Sequence, residues 1–173
     1  MCTTLNGPDE RIEARAVFDF VAHEAVDIEG SASRIWPLIL RPDAWKRGIT
    51  LTHVSGSANE PGAVFSVDQV SLGILYYVQS IEVIKLRRWT IKLLAGKEGV
   101  SLGYASWGLI EHGDMTTVTY DVYAQVELGG KLDPDAALGT PAEWVARYQS
   151  RESTRFKDEL KCLKRLVENH SID

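Results

Sequence analysis

The C-terminal segment constrains the fold more than any other part of the chain. It begins TPAEWVARYQ and carries Val145, Tyr148, Glu152, Phe156, Leu160, Leu163 and Val167 at spacings of three and four, which is one stripe of an amphipathic helix. Thr140 stands at the N-cap, Pro141 at the first helical position and Glu143 at the third. That arrangement is a capping box, in which hydroxyl and carboxylate each satisfy an amide the first turn leaves unbonded. The pattern predicts a helix over 141–169, roughly 43 Å long at ~1.5 Å per residue. A single glutamate, Glu152, interrupts its apolar row.

The rest of the chain reads mainly as strands. Phe18, Phe20, Ala22, Val26 and Ile28 alternate with Asp19, His23 and Asp27, the period-two pattern of a half-buried strand; Glu24 breaks the apolar side. Gly30 and Ser31 end that strand, and Ser31 can cap a helix that carries Trp36, is interrupted by Pro37 and reaches about Leu40. Arg41-Pro42 stops it, and a second short turn carries Trp45. ITLTHV and AVFSVDQV flank the turn-forming SGSANEPG. ILYYVQSIEVI places Tyr77, Gln79, Ile81 and Val83 on one face, and WTIKL places Trp89, Ile91 and Leu93 on one side. YASWGLIEHGD and MTTVTYDVYAQVEL join through His112-Gly113-Asp114, with Val118, Tyr120, Val122, Ala124 and Val126 facing inward. The count is about seven strands, mostly joined as a meander and therefore antiparallel.

An antiparallel sheet with one apolar face needs a cover, and only the terminal helix is long enough to supply it. The sheet is therefore expected to curve around that helix, giving an α+β fold of order β-αα-β6-α. The two short helices plug the end where sheet and helix diverge, and Trp36 and Trp45 line or close the mouth of a cavity there. Residues 1–15 are polar and irregular and read as a flexible arm, leaving residues 16–173 as one domain.

Composition agrees with one globular domain. The 173 residues are 45% hydrophobic and 25% charged, with a net charge of -5. No Lys/Arg run offers a grip on nucleic acid or anionic lipid. The first residues lack a basic and an apolar leader region, and no apolar run is long enough to span a bilayer, so a soluble, cytoplasmic protein without stable membrane insertion is expected. Cys2 and Cys162 lie far apart without metal-ligand spacing and read as free thiols. No metal or cofactor is expected, and nothing in the sequence fixes the oligomeric state.

IEGSASRIWPLILRPDAW, GSANEPGAVFSV, LYYVQSIEVIKLRRWTIKLL and SWGLIEHGDMTTVTYDV, followed by the terminal helix, resemble the START/SRPBCC (helix-grip) superfamily. That superfamily includes polyketide cyclase/dehydrase-like and lipid-transport-like bacterial members. The resemblance covers about residues 16–169 and implies a helix-grip fold and a hydrophobic ligand. It implies no single catalytic motif, and the segment 129–142 follows no pattern of the superfamily.

Two acids and a set of polar or aromatic side chains are the candidates for chemistry. Glu24 and Glu152 point toward the apolar interior, where lost hydration can raise a carboxyl pKa by up to roughly 3–5 units and suit it to acid/base work. Tyr77, Gln79, Trp89, Trp107 and Tyr120 share inward faces on different strands, an aromatic wall with a few polar handles; Tyr148 joins them from the helix. His53 shares the Leu51 face, whereas His23, His112 and His170 sit on a polar face, in a turn and near the end. Gly96, Gly99 and Gly103 lack the phosphate-loop pattern and read as turns. Arg147, Arg151 and Arg155 form a row on a solvated helix face.

The leading reading is binding of a small hydrophobic or aromatic molecule, lipid or polyketide-like, between sheet and helix. An aromatase/cyclase or dehydratase using Glu24 or Glu152, with Tyr120 or Gln79 orienting an oxygen, is the alternative. The third is a protein-interaction module with a collapsed cavity.

Overall fold

The computed structural model describes residues 17–70, 74–94, 101–127 and 140–169. The arm of residues 1–15, Cys2, Gly96, Gly99, residues 129–139 and His170 lie outside the described residues. The elements are β1 (Val17–Glu29), α1 (Ala32–Ile39), a 3₁₀ turn (Pro42–Ala44), β2 (Ile49–Ser55), β3 (Val64–Gln69), β4 (Ile74–Ile84), β5 (Arg88–Leu94), β6 (Ser101–His112), β7 (Met115–Glu127) and α2 (Pro141–Asn169). The strands form one antiparallel sheet of order β1-β7-β6-β5-β4-β3-β2. This is the helix-grip fold.

Strict alternation makes β1 and β7 the most regular pair. Their ladder runs without a shift from Val17↔Glu127 to Glu29↔Met115, and it buries Phe20, Ala22 and Ile28 against Val118, Tyr120, Val122 and Val126. The other half of the sheet bends through bulges, at His53/Ser55, Ser80/Glu82 and Leu93/Leu94; each extra residue sharpens the local twist. Gly103 follows the last of these with φ +154°, and a Cβ there would lie 2.1 Å from the carbonyl oxygen of Tyr123. Only glycine allows β6 to approach β7 that closely.

Of the strands, α2 packs most closely along β1. Its buried stripe is Trp144, Tyr148, Phe156, Leu160, Leu163 and Val167, so Trp144 takes the innermost place in the first turns while Val145 is only partly covered. The capping box forms as the sequence requires. The Glu143 amide donates to Thr140 Oγ1 (3.3 Å) and the Thr140 amide to Glu143 Oε2 (2.8 Å), and these bonds from Thr140 hold the Glu143 carboxyl below its ordinary range. At the far end, Arg34 donates to the Val167 carbonyl (2.5 Å), Lys164 to the Asp27 carbonyl (2.7 Å), and the Glu29 amide to Glu168 (3.0 Å). A cation on the last carbonyls also complements the helix dipole.

Two local expectations need correction. Ser31 occupies the N-cap position of α1, but its hydroxyl bonds Ser33 (2.8 Å); the Ala32 amide is met instead by the Glu111 carboxylate of β6 (3.2 Å). The helix then runs through Pro37 to Ile39. In β4 the inward residues are Tyr76, Val78 and Ser80, then Val83 beyond the bulge. Their ladder partners are the inward Val67, Phe65, Ile91 and Trp89.

Candidate ligand site between the sheet and the C-terminal helix

One ladder row crosses five strands on the concave face: Glu24, Tyr120, Trp107, Trp89 and Val83. Its three rings stack in sequence, Trp89 on Trp107 at 5.0 Å and Trp107 on Tyr120 at 4.8 Å between centroids. The Trp89 indole donates to Ser80 Oγ (2.9 Å), itself buried. The Trp107 indole N–H is buried and finds no acceptor among the described residues. Phe156 of α2 meets Tyr120 edge-on at 4.9 Å and Phe20 at a tilt, and Phe20, Tyr148, Phe18 and Trp144 continue edge to face toward the helix N-terminus. At the level of the row, ring packs on ring where the sequence led us to expect open apolar space.

The polar centre of this interior is Lys46, the residue after Trp45. Its ammonium donates to Tyr120 OH (3.1 Å) and pairs with Glu159 Oε2 (2.8 Å). It stands 4.3 Å from the Tyr120 ring centroid and 5.3 Å from those of Trp107 and Trp45, within the range of cation–π attraction. The two side chains are nearly enclosed, Lys46 at 10% and Glu159 at 16% exposure. Burial opposes the charge on Lys46, but Tyr120 and Glu159 together more than offset it, and the lysine holds its proton above the usual range. Arg155 extends the network, 3.9 Å from Glu159 and 2.5 Å from Glu152. Burial opposes its charge as well, and the two carboxylates keep it firmly protonated. Tyr76 of β4 faces the same charges, and burial pushes its phenol up.

The sequence candidates divide across this site. Trp89, Trp107 and Tyr120 form the row, Tyr148 lies in the adjoining ring cluster, and Trp36 and Trp45 are buried at its end. The Trp45 indole donates to the Leu38 carbonyl (2.8 Å) and ties the 3₁₀ turn to α1. His53 lies exposed at the sheet margin with its ring 5.4 Å from Phe65. Tyr77 and Gln79 face the opposite side of the sheet, because the bulge at Ser80/Glu82 reverses the parity read back from Val83. Glu24 does face α2, where Ser153 donates to it (2.5 Å) and Lys157 stands 3.8 Å away. Glu152 is also turned inward but engaged, by Arg155 and, at 3.5 Å, by Arg151. Arg155 therefore belongs to the interior network as much as to the solvated row.

Sequence reasoning missed Lys46, Glu159 and Tyr76. A lone lysine after a turn and a glutamate beside Asp158 look like solvated surface. The available signals were Lys46 adjoining an inward tryptophan and Glu159 lying one turn from Phe156 and beside Leu160. Two surface grooves lie elsewhere: one of about 390 Å³ between Val17, Phe18 and Val145, and one of about 780 Å³ around Leu86, Arg88 and Glu111. Among the described residues no His/Cys/Asp/Glu group is arranged to hold a metal, and no helix is long and apolar enough to cross a membrane.

No family model matches the sequence, and no curated protein matches it either. Solved structures match the fold. The di-domain ARO/CYC StfQ from the steffimycin biosynthetic pathway superposes over 88% of this chain with TM-score 0.67 at 14% identity, and this chain spans 52% of it. Norcoclaurine synthase from Thalictrum flavum matches over 92% of this chain and 100% of its own, with TM-score 0.55 at 15% identity. Ara h 8.0201 matches over 88% and 100%, with TM-score 0.56 at 12% identity. At such identities the likeness establishes the helix-grip architecture and nothing finer.

Proposed function

We propose that the chain is a START/SRPBCC-type cytoplasmic protein that binds a small hydrophobic or aromatic molecule, lipid or polyketide-like, between the sheet and α2. The observation that carries this reading is Lys46, a charged ammonium held against an aromatic wall by Tyr120 and Glu159. An apolar interior with a few convergent polar groups supplies the lining of a small-molecule site, and the concave space such a site also needs has to open between the packed rings. The hydrogen-bond inventory adds the kind of handle such a guest needs. Tyr120 accepts from Lys46, so its own O–H is left to donate, and the Trp107 N–H has no acceptor among the described residues. A guest oxygen meets donors here. The guest enters past the 3₁₀ turn, whose displacement opens the row.

The test is binding of 8-anilinonaphthalene-1-sulfonate, an apolar aromatic anion, followed through tryptophan quenching. Saturable binding that Lys46→Met weakens about tenfold, roughly the 1.4 kcal/mol of one charge-assisted contact, supports the reading. Native mass spectrometry of protein from its own host then seeks the natural guest. Absence of binding by wild type turns the ring packing into an argument for the third reading, an interaction module with a collapsed cavity.

The enzymatic alternative, a cyclase or dehydratase, draws support from Tyr120, whose free proton and lysine neighbour suit it to protonate or orient a guest oxygen. Glu24 and Glu152 stay in this proposal as acid/base groups, each first having to leave its present partner. Loss of turnover in Glu24→Gln or Glu152→Gln with retained probe binding is the outcome it requires.

A further inference from the structure

The convex face of the sheet carries a second feature, independent of the interior. Val21, Tyr123, Tyr104 and Lys92 are successive ladder partners across β1, β7, β6 and β5, and the first three are 68%, 41% and 43% exposed. Alternation normally puts polar residues on a solvated face; here two tyrosines and a valine stand side by side. The row is also polarised. At the β1/β7 end, Asp19 accepts from Tyr123 OH (3.0 Å) and Asp121 pairs with His23 (2.5 Å). At the β5 end, Lys92 has no ion-pair partner among the described residues.

We propose that this face docks a second copy of the chain. A row with an apolar centre, acids at one end and a base at the other is complementary to itself when turned about a two-fold axis. The axis would run parallel to the strands, midway between β6 and β7. β1 and β5 then lie equally far from it, each about 7 Å at a strand spacing of about 4.8 Å. Rotation lays Tyr104 over the partner's Tyr123 and Lys92 over the partner's Val21, with the ammonium reaching the partner's Asp19. Every contact occurs twice, as an isologous interface demands. A foreign partner would not need that symmetry. The patch spans only four of the seven strands, at the small end of specific interfaces, so the dimer is expected to be reversible, with a dissociation constant of about 10–100 µM.

Sedimentation velocity on the full chain from about 1 µM to about 1 mM tests this. A monomer–dimer equilibrium is expected, weakened at least about tenfold by Tyr104→Glu, which sets a buried charge beside the axis. Lys92→Glu weakens it too, and adding Asp19→Lys to that variant restores it. These side chains lie on the exposed face, so unchanged circular dichroism identifies folded variants. A chain that stays monomeric throughout, or a dimer indifferent to Tyr104→Glu, overturns the proposal, whatever else the face captures.

Discussion

The two halves of the concave face are held differently. Between β1 and β7 the ladder is unbroken, α2 lies along it, and Phe18, Phe20, Tyr148, Trp144 and Phe156 interlock through edge-to-face, tilted and stacked contacts. Between β2 and β5 the ladder is interrupted by bulges, and the 3₁₀ turn and Trp45 supply the cover near β2. One half fixes register and helix position. The other bends through its bulges, and from it Tyr76 faces Lys46.

The sharpest way to break this contrast is to make equal cavities on each side. Leu160→Ala, in the α2 stripe, is expected to cost about 4 kcal/mol in urea unfolding, whereas Ile91→Ala, in the bulged half, should cost about 2–3 kcal/mol because its surroundings collapse more readily. A cost at Ile91 equal to or above that at Leu160 erases the distinction. Next in size is the ion pair that joins the halves. Glu159→Gln leaves the Lys46 ammonium enclosed without its counter-charge and is expected to lose roughly 2–4 kcal/mol, most of it recovered in the Lys46→Met/Glu159→Leu double variant. No recovery would mean that the pair contributes by packing alone.

Smaller effects sharpen the regular half. Thr140→Ala removes the α2 cap and should lower stability by about 1 kcal/mol, seen as a shift in denaturant midpoint with an unchanged slope. His23, on the convex side of β1, has its pKa raised above 6.5 by the hydrogen bond and charge of Asp121. A raised histidine contributes stability that is complete below about 6.5, its unfolded value, and lost as pH rises through its folded value. The pair is well exposed, so water screening keeps that contribution well under about 1 kcal/mol. NMR titration should show a midpoint that returns to the ordinary range in Asp121→Asn; an unmoved midpoint removes Asp121 as the cause.

The same division governs what could be read from the residues. β1 and β7 pair without a register shift and α2 keeps its period from end to end, with Glu24 and Glu152 the breaks in their apolar rows, so Phe20, Tyr120 and the capping box were legible, and with them the grip of sheet on helix. In β4 the alternation seemed as clean, but the extra residue at Ser80/Glu82 turned Tyr77 and Gln79 outward and Tyr76 inward; a bulge leaves no mark in a hydrophobic pattern. Glu24 and Glu152 were found because they break apolar rows, although pattern alone does not reveal that Ser153, Lys157 and Arg155 already engage them. Lys46 breaks no row. Its burial depends on where Trp45 carries the following backbone, a tertiary fact.

A single nitrogen thus ties the segment leading into β2 to two walls of the interior, β7 through Tyr120 and α2 through Glu159. For a guest to enter as proposed, the segment leading into β2 has to release Tyr120 and Glu159 from Lys46, so unlatching that entrance and neutralising the grip would be one event. Alkaline titration of the amine or an incoming anion that draws it off the glutamate would each slide the same bolt.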